Sequence, residues 1–181
     1  MSISDEIFVD LEEDPNLQIA VRAAYVTKNR DGVDCLLLGL HRDNNKYMFP
    51  GGRIDPNDNA TGVWGYERVL GRELEEELGI KLRQIQDPMV PLSQEACNRV
   101  LRIPWSSKSG PRLDYVLIFD IEDGQSFFTD GFELPRESEL AHLKWFPHNA
   151  PPQNIFPNAA KALYRAPMIA WKDRNKHLLE F

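Results

Sequence analysis

The sequence predicts an α/β fold of the α+β kind, a mixed β-sheet covered by helices. Three observations predict it. Short apolar runs with strand character recur along the chain, and only two segments carry helical periodicity. No repeat, low-complexity tract or linker interrupts the 181 residues, a length that suits one domain with a full core. Strands in series with two separated helices favour a mixed sheet packed against helices.

Taken in order, residues 1–16 are acidic and polar and read as an N-terminal arm. Residues 19–26 form an apolar strand, 29–32 carry a turn signal, and 33–40 form a second strand, together a hairpin. A polar loop at 41–46 leads into Tyr47-Met-Phe-Pro-Gly-Gly-Arg-Ile54. Residues 55–59 are rich in turn formers. A helix is predicted from Thr61 or Val63 to Leu78. Val63, Leu70, Leu74 and Leu78 give it an apolar stripe, and Gly79 stops it. Gly65 and Gly71 weaken its first half. Strands are predicted at 80–85, 99–103 and 113–121, with 105–112 as a long exposed hairpin loop. Residues 141–146 form another short strand. Residues 157–164 form a second helix with proline in its first turn. Residues 17–165 are the domain proper, and 166–181 are its C-terminal tail.

Composition narrows the function classes. With 42% hydrophobic and 27% charged residues, the chain reads as globular. No apolar stretch reaches membrane-spanning length. Residues 1–10 lack a basic region followed by an apolar run, so no signal or transit peptide is expected. Cys35 and Cys97 sit in apolar runs and read as core thiols of a reducing, cytoplasmic setting. The net charge of −7, with dispersed basic residues, argues against a nucleic-acid footprint. A small anionic ligand remains compatible, because a metal supplies local positive charge.

The chemistry-bearing segment is Arg72-Glu73-Leu74-Glu75-Glu76-Glu77-Leu78-Gly79-Ile80. On a helix, Glu73, Glu76 and Glu77 fall within about 100° of one another, beside the apolar stripe. Their mutual repulsion costs ~0.2–0.5 kcal/mol per pair. Their place at the negative end of the helix dipole costs about 0.3–1 kcal/mol per charge. A divalent cation bound by hard oxygen ligands, Mg²⁺ or Mn²⁺, reverses both terms. For a bare acidic run the ordinary reading is a solvated face.

The pattern Arg-Glu-apolar-x-Glu-Glu-x-Gly-apolar resembles the second half of the Nudix box. A chance match per starting position is on the order of one in ten million at background frequencies. Phe49-Pro50-Gly51-Gly52-Arg53-Ile54 looks like the strand and glycine turn that open the box, and Leu143-Lys144-Trp145-Phe146 looks like a later strand of the same domain. The resemblance implies the Nudix fold and hydrolysis of a diphosphate bond in a nucleoside diphosphate linked to another group, such as a nucleotide sugar, or in a nucleoside triphosphate. There is one departure. Gly52 lies 20 residues before Arg72 instead of 14, and Trp64 stands where the box has a glutamate. We read a six-residue expansion of the loop before the helix, with the glutamate lost or its task passed to Glu67 or Asp58. Residues 53–63 then form an excursion, with Trp64 packed near the start of the helix.

By this resemblance, Glu73, Glu76 and Glu77 are the metal ligands, and the Gly52 carbonyl adds a backbone oxygen. Arg72 holds a box carboxylate in place, and Glu75 maps to a variable, solvent-facing position. The resemblance allows either a box glutamate, Glu73, or a later loop acid, Glu137 or Glu139, as general base. Arg53 and Arg42 are candidate phosphate contacts. Tyr47, Phe49 and Tyr115 are either base-stacking or core. His41, His142 and His148 lack metal-ligand spacing and read as surface residues. The expected partner is a small nucleotide-like anion, not nucleic acid or membrane. Dimers are common in the family, so a homodimer is open. The alternative function is a Nudix-fold nucleotide-binding module with little or no turnover.

Overall fold

The computed structural model describes residues 16–58, 60, 62–80, 100–121 and 124–175. Among these, seven strands join one mixed sheet. They are β1 (Gln18–Lys28), β2 (Asp34–His41), β3 (Tyr47–Met48), β4 (Gly51–Arg53), β5 (Val100–Ser107), β6 (Gly110–Asp120) and β7 (Leu140–Pro147). Four helices accompany them: α1 (Gly62–Leu78), the short α2 (Gly124–Phe127), α3 (Pro157–Ala162) and α4 (Arg165–Arg174). The strand order is β3-β2-β1-β6-β5, with β4 added to β1 and β7 to β2. The β1–β6 pair is parallel, and the other pairs are antiparallel.

The period-2 alternation of β1 sorts the core into two layers. Ile19, Val21, Ala23 and Tyr25 pack with Tyr66, Val69, Leu70, Leu74 and Leu78 of α1. Ala24 and Val26 pack instead with Ala159, Ala162, Leu163, Ala166 and Ala170 of α3 and α4. Each buried leucine on these faces stabilises the fold by about 1.5–3 kcal/mol. Small residues on the α3–α4 side let the helices lie close to the sheet. Arg174 fastens the end of α4 by donating to Asp34 at 2.9 Å and to both carboxylate oxygens of Asp120.

Several sequence expectations need adjustment. Residues 105–112 are not a long exposed loop: β5 and β6 continue through them, with Trp105 paired to Arg112 and only Lys108 and Ser109 between Ser107 and Gly110. The segment is polar because its side chains bond across the turn. Ser107 Oγ accepts from Arg112 Nε at 2.9 Å, and Ser109 Oγ accepts from Arg112 Nη2 at 2.8 Å. A helix over Arg165–Arg174 carries the chain through the first part of the expected 166–181 tail. The predicted strand at 80–85 lies beyond the described residues after Ile80, as does Cys97. Cys35 is a buried free thiol. Phe49 and Tyr115 are core, whereas half-buried Tyr47 bonds to His142 Nε2 through its hydroxyl at 2.8 Å. No described helix is long and apolar enough to cross a membrane.

Candidate active site

The site forms where the last turns of α1 meet the edge strand β4. Gly51 has φ +127°, and a Cβ there would collide with the Val21 carbonyl oxygen. A Cβ on Gly52 would fall on the Glu73 carboxylate. Gly51 therefore needs glycine, for its backbone angle and for space, whereas a side chain at 52 would displace the Glu73 carboxylate. The gap left by Gly52 lets α1 press its carboxylates against the strand. Glu77 Oε2 accepts the Gly51 N–H at 2.7 Å. Arg22, an isolated charge in the apolar run of β1, donates to the Gly51 carbonyl and, at 3.4 Å, to the Phe49 carbonyl. The glycine turn is thus held from the helix and from the neighbouring strand.

Arg72 gathers the rest of the rim. Its guanidinium lies 2.9 Å from Glu73, 3.3 Å from Glu76 and 3.2 Å from Asp58. Asp58 ends a 3₁₀ turn, Pro56–Asp58, inside the expanded loop. Its carboxylate accepts the Asp55 N–H at 2.7 Å, and its carbonyl accepts from Arg68. Of the two replacements considered for the box glutamate, Asp58 therefore reaches the site. Glu67 is buried and does not line the cavity. α1 begins at Gly62, within the predicted range, and Arg53 closes β4, so residues 54–61 connect strand and helix. The expectation for the Trp64 side chain lies outside the described residues.

Burial governs the acid chemistry of this rim. It pushes the Glu77 carboxyl up to about 7, against the Gly51 amide and Arg22, which favour the anion. Burial also raises Glu73, against the pull of Arg72. Glu75 faces solvent, as expected, and Glu76 is exposed. Among the described residues, no three acidic, histidine or cysteine side chains already converge on a point where a metal ion would sit. The donors the site offers, the Glu73, Glu76 and Glu77 carboxylates and the Gly52 carbonyl, are all oxygens and suit a hard cation, and burial disfavours Glu73 and Glu77 as free anions. Mg²⁺ keeps several waters and takes only one or two carboxylates, so a preformed cage is not required.

Rim and glycine turn border a cavity of about 770 Å³. Sequence reasoning missed much of its other lining. Arg22, Arg53 and Arg112 form a basic floor, and Trp105, Phe156 and Asn158 form a wall. Phe156 meets Trp105 edge-on at 5.8 Å, and the Arg112 guanidinium lies 5.1 Å from the Trp105 ring centroid. Buried Asp114 ties the wall to the floor. It accepts from Trp105 Nε1 at 2.9 Å and from Asn158 Nδ2, and it stands 3.9 Å from Arg22 Nε. The available signal was a charge inside an apolar strand run, at Arg22 and at Asp114. Arg53 lines the cavity as expected, but Arg42 does not. Its Nε donates instead to the Ser138 and Leu140 carbonyls, at 2.9 and 3.1 Å. Glu139 lines the cavity and Glu137 does not. His41, read as a surface residue, also lines it.

No family model matches the chain, and no curated protein matches it in sequence. Solved structures do resemble it. The NUDIX domain of Shewanella oneidensis NrtR, in complex with ADP ribose, is 14% identical, with 93% of this chain and 98% of that one covered at a TM-score of 0.55. The MutT NUDIX hydrolase from Burkholderia pseudomallei is 21% identical over 82% of this chain and 96% of its own, at 0.52. A C. elegans Ap4A hydrolase in a binary complex is 18% identical over 89% and 96%, at 0.51. At these identities the likeness speaks to architecture, and it agrees with the mixed sheet between helical layers: the chain has the Nudix hydrolase fold.

Proposed function

We propose that the protein is a Mg²⁺- or Mn²⁺-dependent hydrolase of a diphosphate bond in a small nucleotide-like compound. The observation that carries this reading is the polarity of one cavity, in which an acidic rim on α1 shares the space with a basic floor on the sheet. A diphosphate bridged to a divalent cation needs both surfaces at once. Glu73, Glu76 and Glu77, with the Gly52 carbonyl, would hold the cation. When bound, it neutralises phosphate charge and makes phosphorus easier to attack. Arg72 keeps the rim carboxylates in register. Arg22, Arg53 and Arg112 bind the phosphate oxygens, and the Trp105–Phe156 corner offers an apolar surface to the planar base. The likeness to the NrtR domain solved with ADP ribose and to the Ap4A hydrolase supports a nucleoside diphosphate-linked compound as substrate.

The test is a hydrolysis screen over nucleoside triphosphates, nucleotide sugars, ADP-ribose and dinucleoside polyphosphates with Mg²⁺ or Mn²⁺. We expect turnover of at least one class, abolished by chelation. Undiminished turnover after thorough chelation overturns the metal-centred reading. Tight nucleotide binding without turnover of any class favours the binding-module alternative.

A further inference from the structure

The outer side of α4 combines hydrophobic and cationic side chains on one face. Among the described residues, the large hydrophobic side chains that stand exposed are Tyr164, Met168 and Trp171, at 64%, 51% and 45%. Their i, i+4, i+7 spacing sets them in one stripe. Single exposed hydrophobics are ordinary, but three on one face form a patch. Lys161, Arg165 and Lys172 are exposed beside it. On α4 itself, Arg165, Met168, Trp171 and Lys172 fall within about 120° of arc. Among the described side chains, no acid shares this arc.

The helix beneath the stripe is fixed. Ala166 and Ala170 are buried against the sheet together with Ala159, Ala162 and Leu163. The inward cation of α4, Arg174, is paired with Asp34 and Asp120. Lys161 touches the Pro104 carbonyl at 3.4 Å and stays exposed. The stripe is therefore held outward and cannot turn into the core.

The charge of the face selects what can cover it. In a chain of net charge −7, aromatic and thioether side chains edged by three cations complement an anionic surface with apolar depth. A second copy fits poorly, because identical faces set together oppose three cations to three cations. The stripe runs along the outer side of a single helix, so it offers a surface to lie on and not a groove for a peptide.

We propose that α4 is a peripheral docking surface for an anionic lipid bilayer. Tyr164, Met168 and Trp171 enter the headgroup region, and Lys161, Arg165 and Lys172 pair with the anionic headgroups. No described helix is long and apolar enough to cross a membrane, so α4 lies on the surface. α1, which carries the acidic rim, packs on the opposite face of the sheet, and the rim carboxylates are kept from the lipid charge. The contact revises the expectation of no membrane partner, since no such face is legible where 166–181 reads as a tail. It is independent of the cavity chemistry.

The experiment sediments the full chain with vesicles of phosphatidylcholine alone or with about 30% phosphatidylserine. We expect binding to the anionic vesicles about tenfold or more above binding to the neutral ones. It should be lost as NaCl rises from about 0.05 to about 0.5 M. Arg165→Gln and Lys172→Gln should each weaken binding by about fivefold, and Trp171→Ser by about tenfold. All three side chains are exposed, so Tm should stay at the wild-type value, which separates lost docking from lost folding. Anionic vesicles should shift tryptophan emission to the blue in the wild type but not in Trp171→Phe, which still binds. Equal binding to both vesicles, no binding to either, or unchanged binding in the three weakened variants overturns the proposal. A blue shift that persists in Trp171→Phe does the same. A lipid-free dimer that Trp171→Ser dissociates assigns the face to a second copy, and capture by poly-glutamate as tight as by the vesicles assigns it to an acidic polypeptide. Either result overturns the bilayer as occupant.

Discussion

The rim and the floor of the cavity are both charged, but the fold builds them in opposite ways. The rim comes from little more than one turn of one helix. Glu73, Glu76 and Glu77 are forced together by the spacing of α1, at its negative end, and Arg72 is the cation that gathers two of them. The floor is spread over three strands. Arg53 of β4 lies opposite Ala20 of β1, two residues from Arg22, and Ala20 also lies opposite Asp114 of β6. Asp114 partly neutralises this group from within. The rim therefore carries charge that the fold itself leaves poorly compensated, and its natural complement is a cation. The floor is compact, braced and net positive, and its complement is an anion. Changes to the rim should alter cation response and turnover together, and changes to the floor should alter substrate affinity alone.

The largest effect is expected from breaking the rim. Glu76→Gln and Glu77→Gln each keep shape and remove a charge. Turnover should fall by about a hundredfold or more, and the rise of Tm on adding Mg²⁺ should shrink, because a ligand that binds the folded state stabilises it by mass action. In metal-free buffer the Tm of Glu77→Gln should hold or rise, since burial opposes the charge it removes. Glu75→Gln, one residue away and solvent-facing, is the control and should change turnover less than twofold. Equal effects from all three variants would show that the helix acts only as a charged face.

A smaller effect should follow from breaking the far side of the floor. Arg112→Ala and Trp105→Ala remove the cation and the ring that it covers. Base–aromatic stacking is worth about 1–3 kcal/mol, so KM should rise by about tenfold. kcat should stay within threefold, and the Mg²⁺ shift of Tm should be unaffected. A fall in kcat with unchanged KM would move these residues from substrate binding to the chemical step.

The same contrast explains what was legible in the sequence. The rim is local: three glutamates at helical spacing, an arginine beside them and a glycine stop define α1 and its acidic face without reference to the rest of the chain. Gly51 and Gly52 were legible as a turn, though not the close approach of Gly52 to the Glu73 carboxylate, because Glu73 lies far along the chain. The floor is nonlocal. Arg22 and Arg112 come together only through the parallel pairing of β1 with β6, which neither strand's own pattern encodes. Residues 105–112 looked like a loop because serine, lysine and glycine dominate them. Cross-strand bonds from Arg112 make them strands. The partners of Arg42 Nε were illegible for the same reason, since they lie 96 and 98 residues away.

The smallest effect on activity, and the sharpest separation of function from stability, is expected at Glu67. It lies on α1 like the rim acids but outside the cavity, 7% exposed, with Oε1 buried and without a hydrogen-bond partner. Burial pushes its carboxyl up to about 7, from an unfolded value near 4.3. Between those two values the folded protein binds more protons than the unfolded one. Stability therefore falls as pH rises through that window and stays lost above it. At about 1.36 kcal/mol per unit, the loss is at most ~4 kcal/mol. Glu77 acts in the same direction over the same window, so the two contributions must be separated by substitution. Glu67→Gln is neutral at every pH. Its Tm should match the wild type near pH 4, below the window, and exceed it by several degrees near pH 8, at about 2–4 °C per kcal/mol for a chain of this size. Added Mg²⁺ should not diminish that gain, and turnover should stay within twofold. The pH-dependent gain of Glu77→Gln should instead vanish in Mg²⁺, because the cation stabilises the wild-type carboxylate. A gain at Glu67 that is equal at pH 4 and pH 8, or one that Mg²⁺ removes, would mean that this carboxylate belongs to the rim after all.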